Sequence, residues 1–235
     1  MRIRPIPARA LRLRCHRFTT GGTELTMCAA KAATVGTGNG RQAILDSAMR
    51  NMNERGYHGT SMRDIARDAD ITVASIYHHF KSKQEILQDI MTRALHDAIA
   101  MTRGALLRAG GSPDAQLQAL VRAWVMFHTT RQLDALVGAT ELRSLNEAGR
   151  RLVVALRDEQ EGLFRDVVER GVEEGAFEVE FPRDAVRGII NMGQSVCAWW
   201  RSDGPLRPEE LADRYADLAL AMVQHRPRHG GLSVS

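Results

Sequence analysis

Between Thr60 and Lys83 the chain sets hydroxyls, a phenol and a cation at spacings that suit hydrogen bonding to a charged polymer rather than covalent chemistry. Residues 61–80 read Ser-Met-Arg-Asp-Ile-Ala-Arg-Asp-Ala-Asp-Ile-Thr-Val-Ala-Ser-Ile-Tyr-His-His-Phe. Ser61 and Thr72 each precede a short apolar pattern, and their side-chain oxygens can accept from the open amides of a helix start. Asp64, three residues after Ser61, completes a capping box. The segment is expected to hold two short helices joined by a turn at Asp70, a residue type that tolerates left-handed backbone. Ile65 and Ile76 pack the pair together, and Ala66 lets the helices cross closely. This is a helix-turn-helix pattern, whose second helix enters the major groove of DNA.

The spacing assigns roles within that pattern. Thr72, Val73, Ala74, Ser75, Tyr77 and His78 fall at or near the exposed face of the second helix. Val73 and Ala74 suit a thymine methyl, while Thr72 and Ser75 suit phosphates or base edges. Tyr77, His78 and Lys83 suit phosphate positioning. Thr60 and Ser61, at the entry to the first helix, complete the expected DNA-contacting set. His79 and Phe80 read as interior.

The rest of the chain supplies the elements that must hold this surface. Ile44, Leu45, Ala48, Met49 and Met52 form one helical face, ended by Gly56. Ser82-x-x-Glu85 is a second capping box, and it opens a long amphipathic helix to about Arg103. Ser112-Pro113 starts another helix. Further helices are expected over Gln132–Leu145, Glu147–Glu174, after Phe181-Pro182, and from Pro208. No segment reads as a strand. The fold class is therefore all-α: a three-helix N-terminal domain with the helix-turn-helix, and a larger C-terminal helical domain, about nine helices in all. The expected division is a disordered Arg-rich tail over 1–39, a DNA-binding domain over 40–98, a ligand-binding and dimerisation domain over 99–226, and a disordered end over 227–235.

The stretch Arg41–Ala94 resembles the DNA-binding domain of the TetR (tetracycline-repressor-like) family. The resemblance lies in Ile44-Leu45 with Ala48, Gly56-Tyr57, Thr60-Ser61, Asp64-Ile65-Ala66, Ile76-Tyr77-His78-His79-Phe80, and Ser82-Lys83 before Ile86-Leu87. Asp70 departs from it, standing where the family usually has glycine. The resemblance implies a homodimer that binds a palindromic DNA operator and releases it when a small-molecule effector binds, which makes the expected function that of a ligand-responsive repressor. Dimer contact is expected on the stripe Leu211, Tyr215, Leu218 and Met222 of the last helix. Trp124, Phe127, His128, Phe164, Met192 and Trp199 are the side chains expected to line the ligand pocket. A weaker resemblance, in Gly171–Phe177 and Trp199–Leu206, is to regulators of lipid and sterol degradation, some of which sense acyl-CoA thioesters.

Composition excludes little and colours much. The net charge is +4, but residues 1–40 carry seven basic residues against Glu24 alone, which leaves the remainder slightly acidic. The basic excess is thus no evidence for DNA binding by the body of the chain, which must rest on the motif. The Arg-rich opening has no apolar core of a signal peptide. It reads as disordered chain, or as sequence upstream of a start at Met27, rather than as a DNA-contacting arm. Cys15, Cys28 and Cys197 are scattered without metal-ligand spacing, which points to a reducing cytoplasm. Nucleophile-elbow, P-loop, dinucleotide and zinc motifs are missing, so neither catalysis, metal nor cofactor is expected. Glu141, Glu147, Glu159 and Glu161 read as solvated helix charges rather than a metal cluster. An architectural DNA binder without a ligand is the remaining rival, and the long rear domain argues against it.

Overall fold

The computed structural model describes residues 37–224, so the Arg-rich opening and the closing tail lie outside the described residues. Those residues form nine α-helices and one 3₁₀ turn, with no strand among them. In chain order they are α1 (Thr37–Gly59), α2 (Met62–Asp68), α3 (Val73–His79), α4 (Lys83–Arg108), α5 (Pro113–Thr130), α6 (Gln132–Thr140), the 3₁₀ turn Leu142–Ser144, α7 (Glu147–Glu173), α8 (Pro182–Trp199) and α9 (Pro208–Met222). No helix among them is long and apolar enough to cross a membrane.

Local chemistry sets the boundaries. Ser61 and Asp64 form the reciprocal capping box of α2, and the Thr72 hydroxyl caps α3 by accepting from Ser75 N. Asp70 takes the left-handed backbone of the intervening turn, at φ 53°. Ser82 accepts from Glu85 N, but the Glu85 carboxylate bonds Lys81 N, one residue before the position of a full box. α4 runs to Arg108, beyond the expected stop. The segment expected as one helix to Leu145 breaks after Thr140. There Gln84 of α4 takes the Ser144 carbonyl at 2.6 Å, and Ser144 donates to the Glu141 carboxylate at 2.7 Å. α7 ends where Gly175, at φ 68°, reverses the chain. The amides of Ala176 and Phe177 return to the Gly171 carbonyl, and the Phe177 ring packs against Gly171.

Two apolar cores result. The rear core centres on α5, which packs against α4, α7, α8 and α9. The front core gathers Ile44, Met52, Ile65, Ile76, Phe80, Ile86 and Leu87 around α1–α4, as the periodicity requires, and Val137 of α6, Leu145 of the bend before α7 and Val153 of α7 close it. Ser47 Oγ donates to the Ile65 carbonyl and Arg50 pairs with Asp68, fixing α2 on α1.

Candidate DNA interface and ligand cavity

α3 presents a surface of small and polar side chains. Thr72, Ala74 and His78 are exposed, Tyr77 is 55% exposed, and Val73 and Ser75 are half-buried. Ile76, on the opposite side, is fully buried and anchors the helix. The Thr72 and Ser75 hydroxyls lie 2.8 Å apart and share a hydrogen bond at the start of the helix. Ser61 is exposed, and its hydroxyl bonds Asp64, whose carboxyl those Ser61 hydrogen bonds hold well below the usual range.

Two residues expected on this surface are placed elsewhere. Thr60 is 1% exposed and donates to the Gly56 carbonyl, because it closes the end of α1. Lys83 turns inward: its ammonium donates to the Tyr57 and Thr60 carbonyls at 2.7 and 2.6 Å and lies 4.1 Å from the Tyr57 ring centre. Burial lowers the Lys83 pKa, with the Glu141 carboxylate opposing that shift. Side chains in the first turn of a helix lean back toward its N-terminus, which carries Lys83 onto the open carbonyls at the end of α1. Lys81 and Arg63 are exposed cations of the same segment.

The discrimination is direct. Lys83→Gln is expected to cost roughly 1–2 kcal/mol of stability, the range for charged hydrogen bonds less solvent screening, which is about 2–8 °C in a protein of this size. It should leave the slope of log affinity against log salt unchanged. A phosphate contact would flatten that slope by about one, and that result would return Lys83 to the DNA surface.

Behind the front unit, α4–α8 enclose a cavity of about 220 Å³. Trp124, Phe127 and His128 line it, as expected. Phe164, Met192 and Trp199 do not. Phe164 is fully buried behind Trp124, their rings 6.3 Å apart. Trp199 is 48% exposed on the outer side of α8, where its ring lies 6.5 Å from Tyr215, and Met192 is half-buried on that same helical face. Trp124 is clamped in place. Its Nε1 donates to the Ile190 carbonyl at 3.0 Å, and its ring approaches Gly193 so closely that a Cβ there would stand 2.4 Å from it. His128 donates from Nδ1 to the Trp124 carbonyl, and burial drives its pKa down to about 4, so the ring is neutral at pH 7.

The polar lining is what sequence reasoning missed: Asp134, Arg157, Gln160, Glu161, Asn191 and Gln194. Glu161 is therefore not simply a solvated charge, and neither is Glu141, which is 9% exposed and bonded to Ser144. Exposed Ala139 and Asn191 mark the cavity mouth.

Residues 44–90 match the bacterial regulatory proteins of the tetR family, and residues 110–223 match the tetracyclin repressor-like C-terminal domain. The solved TetR family transcriptional regulator PfmR from Thermus thermophilus is 32% identical, covering 79% of this chain and 99% of that one, with a TM-score of 0.70. The chain belongs to the TetR family. Also similar is the HTH-type transcriptional repressor KstR2 of Mycobacterium tuberculosis, 29% identical over 185 residues that span 78% of this chain and 92% of that protein. Its structure, described as that of a ketosteroid transcriptional regulator, has a TM-score of 0.73 at 25% identity, covering 80% and 95% of the two chains. A bacterial regulatory protein of the tetR family from Rhodococcus has a TM-score of 0.76 at 28% identity, covering 80% and 98%.

As a TetR-family member the chain is a DNA-binding transcriptional regulator, and partners of this family are operator DNA, a second copy of the chain and a small-molecule effector. The stripe expected to dimerise is divided by the structure. Leu211 is 2% exposed, because it faces α5 in the chain's own core, and Tyr215 is half-buried. Leu218 and Met222 are 52% and 38% exposed. Met222 lies over Gly188 of α8, so the outer faces of α8 and α9 form one apolar strip with Met192 and Trp199. The segments with the weaker lipid-regulator resemblance are helix ends here. Gly171–Phe177 terminates α7, and in Trp199–Leu206 the Trp200 indole donates to the Leu206 carbonyl.

Proposed function

We propose that the protein is a cytoplasmic, ligand-responsive repressor that binds a palindromic operator as a homodimer and is released by a small hydrophobic ligand. Domain roles follow the expected division: α1–α3 and the start of α4 read DNA, and the helices behind them bind the effector and dimerise. The DNA set is Ser61, Thr72, Val73, Ala74, Ser75, Tyr77 and His78, with Lys81 and Arg63 added. α8 and α9 supply the dimer face through Tyr215, Leu218, Met222, Met192 and Trp199, as in a four-helix contact.

One observation carries the ligand response. α6 forms part of the cavity wall, through Asp134, Ala135, Gly138 and Ala139, and runs directly into the corner that holds the front unit. In that corner Gln84 bonds the Tyr57 hydroxyl at 2.8 Å, the Ser144 carbonyl at 2.6 Å and Asn146 N at 2.9 Å. A ligand that displaces α6 therefore pulls on α1 and α4 together. Two recognition helices must sit about 34 Å apart to meet successive major grooves. A preference of about 1–3 kcal/mol for the misplaced arrangement suffices for a 5–150-fold loss of affinity.

Size limits the ligand. A whole acyl-CoA exceeds about 220 Å³, so an effector of that class would place only its acyl part inside and its nucleotide outside the mouth. The similarity to KstR2, described as a ketosteroid transcriptional regulator, favours an effector with an apolar, lipid-like body.

The test begins by selecting DNA from a random pool on the purified protein. An inverted repeat with half-sites about one helical turn apart is expected. Tyr77→Ala should weaken binding to it about tenfold whatever the base sequence, whereas Ser75→Ala should change the selected bases. A pool that yields no inverted repeat overturns the proposal.

A further inference from the structure

The cavity lining contains a cation with no counter-charge. Arg157 of α7 is half-buried, and its Nη2 donates to the Gly138 carbonyl at 2.7 Å. A guanidinium has five N–H donors, and no carboxylate among the described residues pairs with this one. Burial alone lowers its pKa, with no acid opposing the shift. The two acids on the same lining are engaged elsewhere: Asp134 with Arg131 at 3.0 Å, and Glu161 with Arg187 at 3.8 Å. Neutral His128 adds no charge.

One helical turn along α7 from Arg157 lies Gln160, which is 2% exposed. One side of its amide meets the Thr102 hydroxyl at 3.0 Å, and the nitrogen has no hydrogen-bond partner. Thr102 also backs onto the Ala98 and Ile99 carbonyls, so its single proton is in demand. Whichever way the amide is turned, only one of its two polar atoms is satisfied by the protein. A buried polar group left open in this way is costly. Here it borders a cavity whose other wall, Trp124, Phe127 and Ala98, is apolar.

We infer that the effector is a small amphipathic carboxylate, with its carboxylate on Arg157 beside the Gln160 amide and its hydrocarbon body against Trp124 and Phe127. This rests on the cavity being the effector site. The volume of about 220 Å³ sets the body at roughly six to ten carbons, given that a cavity of about 150 Å³ accommodates benzene. A free acid fits better than a CoA thioester. The mouth offers Ala139, Asn191 and Glu161 rather than cations for phosphates, and nearby Arg187 already faces Glu161 and Asp184.

Calorimetry and tryptophan fluorescence with octanoate, 1-octanol and octanoyl-CoA test this on the full chain. Octanoate should bind at least about tenfold more tightly than octanol. Arg157→Gln should weaken octanoate by about tenfold to a hundredfold and leave octanol unchanged, while Arg157→Lys, keeping the charge, should retain most of the preference. Ala135→Phe should lose both ligands, since Ala135 is 7% exposed on the cavity lining and a ring there takes up the space the hydrocarbon body would fill. Equal binding of octanoate and octanol, or an indifferent Arg157→Gln, overturns the carboxylate and leaves the cavity standing. Octanoyl-CoA binding without octanoate binding does the same and favours the thioester. If none of the three binds the wild-type protein, the effector site itself is wrong and the inference falls with it. Should Arg157→Gln fail to fold, the wild-type comparison and Arg157→Lys decide.

Discussion

Leu218→Asp is expected to yield monomers and to abolish operator binding in the same step. Leu218, Met222 and Trp199 are 52%, 38% and 48% exposed, large side chains on two adjacent helices. Stable interfaces bury more than about 1,000 Å² and concentrate such side chains at their centre. A two-fold axis brings equivalent residues toward one another, so the substitution buries two unpaired carboxylates in one apolar contact, at several kcal/mol each. Because Leu218 is half-exposed in the single chain, the variant should keep its helical far-ultraviolet dichroism at ambient temperature, while its melting temperature falls and no longer depends on protein concentration. Losing the second half-site should weaken operator binding on the order of a hundredfold or more. Sedimentation velocity reads the first effect and fluorescence anisotropy the second. An intact dimer would move the interface away from α8 and α9.

Gly171→Ala is expected to be the most damaging glycine-to-alanine change among the described residues. A Cβ at that position would stand 2.1, 2.3 and 2.9 Å from three atoms of the Phe177 ring. The ring cannot swing away freely. Phe177 is 3% exposed in the rear core, and its amide is bonded to the Gly171 carbonyl at 3.0 Å. Overpacking of this kind costs about 1–3 kcal/mol, occasionally more, or roughly 2–12 °C of melting temperature at this length. Phe177→Leu in the same chain should recover part of the loss, because the two residues share one contact and their effects do not add. A Gly171→Ala protein melting within a degree of wild type would mean that the end of α7 is far more pliant than its packing.

The same two residues explain what the sequence could and could not disclose. Gly171 and Phe177 are plain to see in the chain, but their contact is a tertiary fact without a periodicity. By contrast Ser61, Thr72 and Ser82 announce their helices because a cap is a local interaction between neighbours. So do the apolar faces of α1 and α4, and the left-handed turn at Asp70. Lys83 is misread because a cation just after a cap looks identical in sequence whether it leans back to the previous helix or outward to a phosphate. Trp124 and Trp199 are likewise the same residue type on apolar helices, and only the packing of α5 and α8 sends one to the cavity and the other to the surface. Arg157 gives no signal, since a charged residue on a long amphipathic helix is ordinarily on its wet face.

Val137 and Val153 of α6 and α7, and Leu145 of the bend between them, belong to the rear of the molecule, yet they complete the front core, and Gln84 stitches the same corner with three hydrogen bonds. The DNA-reading head is therefore not an interchangeable module. Recombination that joins the head of one regulator to the body of another would leave an apolar flank unmatched unless the stretch from α6 to the start of α7 travelled with the head.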